Sequence, residues 1–248
     1  MQAVRFTVLA NVFLELSSVH KCGMLHNQSQ QVIMTRRLII IAEDGTPANF
    51  LIGVEHDYHS LIQFFKSKEG GEYTGKEMFL LHDCCSRAKL QSAIQPDITG
   101  VGIDKLIIVF CGHGYGLPSG DFAICFNNGQ QLLYSVIMKM CGTIPTLFIA
   151  DSCRVVLSNY QNNPPSIGNK FNAITSCAHS EFSYETDEGG IYTKNLIKAS
   201  KLRYKQNHSP IAISHIHRLA KIWTYLRTNN LQHAQIEGRQ IDYFLFSY

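Results

Sequence analysis

The sequence predicts an α/β protein: a mostly parallel central β-sheet with helices on both faces. Short runs of Ile, Val, Leu and Phe alternate along the chain with segments whose apolar residues recur at helical spacing. The strand-like runs are apolar at consecutive positions, as strands covered on both faces are. Parallel neighbours need crossover connections, and a helical segment separates most successive runs.

In chain order, "RRLIIIAED" (36–44) reads as a buried strand and "EHDYHSLIQFFKSK" (55–68) as a helix. "EMFLLHD" (77–83) is a second strand, followed by "SRAKLQSAIQ" (86–95), a helix that Pro96 stops. "IDKLIIVFC" (103–111) is the third strand. After a glycine-rich loop come a helix, "QLLYSVIMKMC" (131–141), and the fourth strand, "PTLFIAD" (145–151). "SNYQNNPPSIGN" (158–169), rich in Pro and Asn, reads as an exposed linker. Beyond it lie a strand, "FNAITSC" (171–177), and two helices, "IYTKNLIKASKLRY" (191–204) and "AISHIHRLAKIWTYLRT" (212–228). A terminal strand, "RQIDYFLFSY" (239–248), completes the pattern. The chain thus divides into an extension (1–35), a large part (36–157), the linker (158–169) and a small part (170–248) of the same sheet. The extension opens as a short amphipathic helix, since Glu15 interrupts its apolar stretch.

Composition narrows the function classes. A chain of 248 residues, 45% hydrophobic, can bury a core without help from disulfides or a structural metal. The net charge of +3 is small and the basic residues are scattered, which gives no support for a nucleic-acid partner. Nothing approaches the length of a membrane span. The eight cysteines include no CxxC pair and several lie in apolar runs, so reduced core thiols of a cytoplasmic protein are expected. His82, Asp83, Cys84 and Cys85 lack a second ligand pair of metal-binding spacing, and no metal or cofactor is expected.

Two stretches carry the chemistry. "IIVFCGHGYG" (107–116) ends a buried strand in Gly-His-Gly, and "TLFIADSCRV" (146–155) ends the next strand at a cysteine. Ligands of open parallel sheets bind beyond the carboxyl ends of the strands, so His113 and Cys153 come together if these strands are neighbours. A thiolate can then attack a carbonyl while the imidazole supplies a proton to the leaving amine. Gly114 lets the backbone approach a substrate, and its N–H with that of Cys153 offers two donors to a developing oxyanion. Each residue alone is more often structural; their joint placement after consecutive strands makes the site.

"HG" after one apolar strand and "DSCR" after the next resemble the caspase-hemoglobinase fold of cysteine peptidases. The chain departs from the true caspase pattern around the cysteine, where it reads Asp-Ser-Cys-Arg-Val, and "HGYG" is closer to the paracaspases, with metacaspases next. "AITSCAHSEFSYETDEGGIYTKNLIKAS" (173–200) resembles the family's fifth strand, substrate-binding segment and following helix start. The resemblance covers roughly residues 36–248. It implies a cysteine endopeptidase with protein or peptide substrates.

The resemblance also locates a primary specificity pocket, which in caspases carries Arg, Gln and Arg and selects aspartate. The matching positions here are Asp57, Asp151 and Glu185, with Glu55 competing for the first place and Glu181 for the last. Converging carboxylates repel unless a cation lies between them. The expected residue before the scissile bond is therefore Arg, then Lys. Ser183 and Tyr184 are expected to pair their backbone with an extended substrate, and Arg154 either to stabilise a thiolate or to cap the strand end. Metacaspases commonly need calcium, but the segment after His113 has Asp121 as its only acid. Family members often pair, and "YFLFSY" (243–248) offers a homodimer edge or an element to bury against its own chain. Self-processing is expected after Lys170, with Arg36 and Arg37 a second possible site. The competing readings are a catalytically weak or silent caspase-like scaffold or regulator, a legumain-like secreted peptidase, and a nucleotide-binding module. The last lacks a GxGxxG or P-loop.

Overall fold

Strand β1 (Arg36–Glu43) lies inside a six-stranded sheet and alternates its side chains between two cores. The computed structural model describes residues 35–95, 102–156, 171–238 and 241–246, all within one compact body, Thr35–Tyr248. The extension before residue 35, the linker 158–169 and Lys170 lie outside the described residues. Helix α1 (Val54–Lys66) leads to β2 (Met78–His82), then α2 (Arg87–Ile94) to β3 (Lys105–Gly112). After an excursion come helix α3 (Tyr134–Cys141), β7 (Thr146–Asp151) and β8 (Phe171–Thr175). The small part adds a short antiparallel pair, β9 (Glu185–Thr186) and β10 (Gly189–Gly190), then α4 (Ile191–Asn207), α5 (Ile213–Arg227) and β12 (Gln235–Glu237). The sheet runs β12-β8-β7-β3-β1-β2, and its pairs are parallel except β12 with β8.

The two-residue period of the strands decides which core each residue enters. Leu38, Ile40, Ile107, Val109 and Ile149 face α1, α4 and α5, where Leu61, Leu196 and Ile216 cover them. Ile39, Ile41, Ile108, Phe110 and Phe148 face α2 and α3, where Leu90 and Ile137 cover them. Both faces are dry, as the consecutive apolar runs require.

Three expectations need correction. The segment expected as a glycine-rich loop and the start of a helix is a separate antiparallel sheet: β4 (Gly114–Gly116), β5 (Phe122–Cys125) and β6 (Gln131–Leu133). Gly120 and Gly129, both at positive φ, turn the chain between these strands, and the helix begins only at Tyr134. The terminal strand expected over 239–248 is, where described, a 3₁₀ turn (Ile241–Tyr243) and a two-residue strand, β13 (Leu245–Phe246). That strand pairs antiparallel with β11 (Ile211–Ala212), and the fully buried Phe244 and Phe246 close the core on the α1 side. The end of the central sheet is instead β12, a strand the sequence reading lacked. Finally, Arg36 and Arg37 do not offer an exposed processing site. Both lie in β1, where Arg36 pairs with Glu77 at 2.6 Å and Arg37 is buried against the Ala93 carbonyl at 2.8 Å.

Candidate active site

Strands β3 and β7 are neighbours, with Cys111 opposite Asp151 at the end of the ladder. His113 and Cys153 each lie two residues beyond that last pair, so one edge of the sheet presents both. They line a narrow cavity of about 40 Å³ together with Asp57, Asp151, Ser183, Tyr184 and Glu185. All seven side chains singled out from the sequence thus border one space. Gly114 stands just outside its wall, in β4.

His113 is oriented by a backbone group. Its Nε2 lies 2.5 Å from the Asn49 carbonyl oxygen; because a carbonyl only accepts, Nε2 carries the proton and Nδ1 is left as the basic nitrogen. The loop that presents Asn49 is tied down at its root, where Leu51 N–H donates to the Asp44 carbonyl at 2.7 Å. Asp44 belongs to a trio with His82 and Asp83 whose ligand atoms lie within 4.8 Å of one another. Asn127 Nδ2 donates to both carboxylates of that trio, at 3.2 and 2.7 Å, so the trio fastens the ends of β1 and β2 to the β5–β6 hairpin. Asp121, the acid after the histidine motif, accepts from the N–H of Phe122 at 2.9 Å.

Cys153 follows β7 on a segment held from both sides. Arg154 N–H donates to the Glu181 carbonyl at 2.9 Å, and Gly116 N–H to the Val155 carbonyl at 3.0 Å. The thiol contacts Ser183 twice, receiving its N–H at 3.4 Å and facing its carbonyl at 3.7 Å. Burial raises the thiol pKa above its ordinary value; the Ser183 N–H opposes this, and the Asp151 and Glu185 charges add to it. Arg154 does not relieve that shift. It is buried on the other side of the chain, donating to Thr175 Oγ1 at 3.2 Å and stacked 5.0 Å over Phe122. The thiolate-stabilising role considered for Arg154 is therefore corrected to a packing role.

Two backbone donors lie next to these groups. Among the described residues the Cys153 N–H has no partner. Gly114 opposes Ile124 in a pair framed by the bond from Cys125 N–H to the His113 carbonyl, 2.9 Å, which turns the Gly114 N–H away from β5. A side chain at Gly114 would meet Ser152 Oγ at 2.8 Å, so glycine is what lets β4 lie against the cysteine segment.

The acids form the opposite wall. Asp57 sits on the apolar stripe of α1 with Val54, Leu61 and Phe64, and is only 2% exposed. Its Oδ2 accepts the Gly190 N–H at 2.8 Å, whereas the buried Oδ1 has no partner. Asp151 accepts from Ser183 Oγ at 2.6 Å and from Thr193 N and Oγ1 at 3.1 and 2.7 Å. Burial drives the Asp57 pKa well above the carboxylate range, with the Asp151 charge adding to it. Burial likewise raises Glu185, while the N–H groups of Gly53 and Ile52 hold it down. Glu55 is exposed on α1, and Glu181 is spent on the N–H and Nδ1 of His233 at 2.9 and 2.7 Å. The rivals of Asp57 and Glu185 thus point elsewhere. Among the described residues no Lys or Arg borders the cavity.

Ser183 and Tyr184 differ from their expected role. Tyr184 N–H donates to Gln232 Oε1 at 3.1 Å and its carbonyl accepts from Ile191 N–H at 3.0 Å, so neither group is open to an added strand. Ser183 turns its hydroxyl to Asp151 and its backbone to the thiol, which leaves only this second set for a substrate to displace. Asn49, Gln232 and Thr193 enter the site without having been singled out in the sequence.

The acids converge over a glycine pair. A Cβ on Gly190 would fall 2.4 Å from Asp151 Oδ2 and 3.0 Å from Asp57 Oδ2, closing the space between the carboxylates. Gly190→Ala is accordingly expected to destabilise the fold by about 1–3 kcal/mol, the usual cost of overpacking, which chemical denaturation of the variant beside the unaltered protein checks.

A caspase-domain family model matches residues 35–234, a span that contains the five parallel strands of the sheet and every residue of the cavity. The chain belongs to the caspase-like peptidase superfamily. Its sheet order, mostly parallel pairing and two helical layers are the caspase-hemoglobinase fold. The caspase-domain match supports cysteine-peptidase chemistry on protein substrates, and Cys153 and His113 both border the cavity at the carboxyl end of the parallel strands. A comparison with curated proteins finds no match. Among the described residues no helix is long and apolar enough to cross a membrane.

Proposed function

We propose that this caspase-like protein is a cysteine endopeptidase of the paracaspase kind that cuts peptide bonds after Arg, and less well after Lys. Cys153 is the nucleophile, and His113 takes the thiol proton through Nδ1 and returns it to the leaving amine. The Gly114 and Cys153 N–H groups stabilise the oxyanion. The observation that carries the specificity is the Asp57 carboxylate: 2% exposed, with Oδ1 unpartnered, on a cavity walled by two more acids and, among the described residues, no Lys or Arg. A guanidinium supplies donors in a planar fork and a positive charge that offsets three carboxylates, whereas a lysine ammonium offers only a point charge. An aspartate side chain would meet like charge on every side.

Substrate entry requires one local change. The Ser183 backbone now occupies the thiol, and an extended peptide replaces that contact with its own carbonyl carbon and main-chain groups. Asp44, His82 and Asp83 could ligate an ion, but their present bonds already explain their placement as a fastening of the Asn49 loop, and no step is assigned to a metal.

The test is a panel of fluorogenic peptides ending in Arg, Lys, Asp or Asn, assayed with the unaltered protein. Cleavage is expected in the order Arg, then Lys, with Asp and Asn peptides intact. Turnover of the Asp peptide alone would overturn the acidic-pocket reading. No turnover of any peptide, with or without enforced dimerisation, would favour a silent caspase-like scaffold.

A further inference from the structure

A second concave surface lies behind the Asp57 helix. Helices α1, α4 and α5 enclose a groove of about 600 Å³ whose floor is apolar, with Ile197 and Trp223 in its wall. Along α4 the groove is edged by Lys194, Lys198, Lys201 and Lys205, and Arg227 of α5 faces them. Spacings of four, three and four residues put the lysines on one stripe of the helix. Lys194 pairs with Glu188, and the Lys198 ammonium lies 5.0 Å over the Trp223 ring. Among the described residues Lys198, Lys201, Lys205 and Arg227 form no ion pair. Surface lysines are ordinarily solvated and need no partner. Here they ring a concavity with an apolar floor, where low-dielectric walls focus their field on whatever enters.

We propose that this groove is a docking site for an acidic peptide segment of a partner or substrate protein, held in extended form along α4. The dimensions fit. Eleven helical steps take Lys194 to Lys205, a rise of roughly 16 Å, so successive lysines are about 4.5–6 Å apart along the axis. Alternate residues of an extended chain are about 6.6 Å apart, so a segment of roughly seven residues with acids at four alternate positions meets the whole stripe. The intervening side chains contact Ile197 and Trp223. The chain's own undescribed segments are not suited to the groove: residues 1–34 contain one acid, Glu15, and 157–170 contain none. A nucleic acid is a poorer fit, because the basic stripe ends within one short groove. Asp57 borders both this groove and the cavity at Cys153, so a docked segment lies one helix away from the scissile bond.

Trp223 is the only tryptophan in the chain, which makes direct titration possible without reference to catalysis. The probe is an amidated peptide with glutamate at four alternate positions and alanine or valine between, compared with its glutamine counterpart. Tryptophan fluorescence and titration calorimetry on the full chain are expected to show saturable binding of the glutamate peptide that weakens as salt rises. The charge-reversal pair Lys198→Glu/Lys201→Glu is expected to lose binding at least tenfold. A control pair on the far side of the sheet, Lys89→Glu/Lys139→Glu, is expected to keep it within twofold, as is cleavage of a short Arg peptide by either variant. The proposal is overturned if neither method detects the glutamate peptide, if the glutamine peptide binds equally well, or if both charge-reversal pairs weaken binding alike. Tighter binding of an oligothymidylate or of anionic vesicles than of the peptide would overturn it in favour of a phosphate-reading surface.

Discussion

Cys153→Ala is expected to lower kcat/KM on an Arg peptide by roughly 10³-fold or more, the scale on which removing a nucleophile acts. The thiol is the one strong nucleophile at the cavity, since Cys111 is fully buried in the sheet and burial raises its thiol well above the ordinary range. His113→Ala is expected to produce a loss of similar size, and the double variant no further loss, because the two groups act as one unit. Alkylation gives a second readout. Burial and the Asp151 and Glu185 charges raise the Cys153 pKa, so the resting thiol is protonated at neutral pH. Iodoacetamide inactivation is therefore expected to accelerate through the alkaline range. A cation in the acidic pocket removes two of the causes of that shift and draws the thiol pKa down. Equal rates for wild type and Cys153→Ala would eliminate this assignment of the nucleophile.

Asp57→Asn carries the second large effect, and its sign differs between activity and stability. Cleavage after Arg is expected to fall about 10²- to 10⁴-fold, because removing one partner of a buried ion pair costs about 3–5 kcal/mol. The free protein is expected to become more stable at neutral pH. The folded-state pKa of Asp57 is raised, so between the ordinary carboxylate value and the raised one the native state binds more protons than the unfolded chain. Stability contributed by the protonated form is thus present at low pH and is lost as pH rises through that window. Asparagine has no such slope, and its carbonyl can still accept the Gly190 N–H. Each kcal/mol corresponds to about 2–4 °C in Tm for a chain of this size. Thermal melts of both proteins across the acidic to neutral range check the slope. A variant that keeps Arg cleavage, or that melts lower at neutral pH, would contradict the role given to this carboxylate.

Features determined by near neighbours in the chain were legible. The strand runs and the Gly-His-Gly and Asp-Ser-Cys breaks are local patterns, and they place His113 and Cys153 at strand ends before any contact is known. The sequence left Asp57 and Glu55 as rivals, and the buried face of α1 separates them. Val54, Asp57, Leu61 and Phe64 share one face of α1, and a carboxylate on an apolar stripe signals a buried acid. Glu185 against Glu181 was not legible, because His233, distant in sequence, claims Glu181. Asn49 was invisible for a different reason: it acts through its carbonyl, which every residue type possesses.

By itself the sequence determined the central parallel strands, the helices between them and the strand ends at which His113 and Cys153 lie. These follow from the period of apolar residues and from residue type, both properties of short stretches. The tertiary structure alone decided that residues 114–133 form a second sheet, that Phe244 and Phe246 close the chain's own core, and that Ser183 rests on the thiol. Each of these depends on backbone groups or apolar side chains meeting partners far along the chain, and pairing at that range is selected by the packing of the whole body.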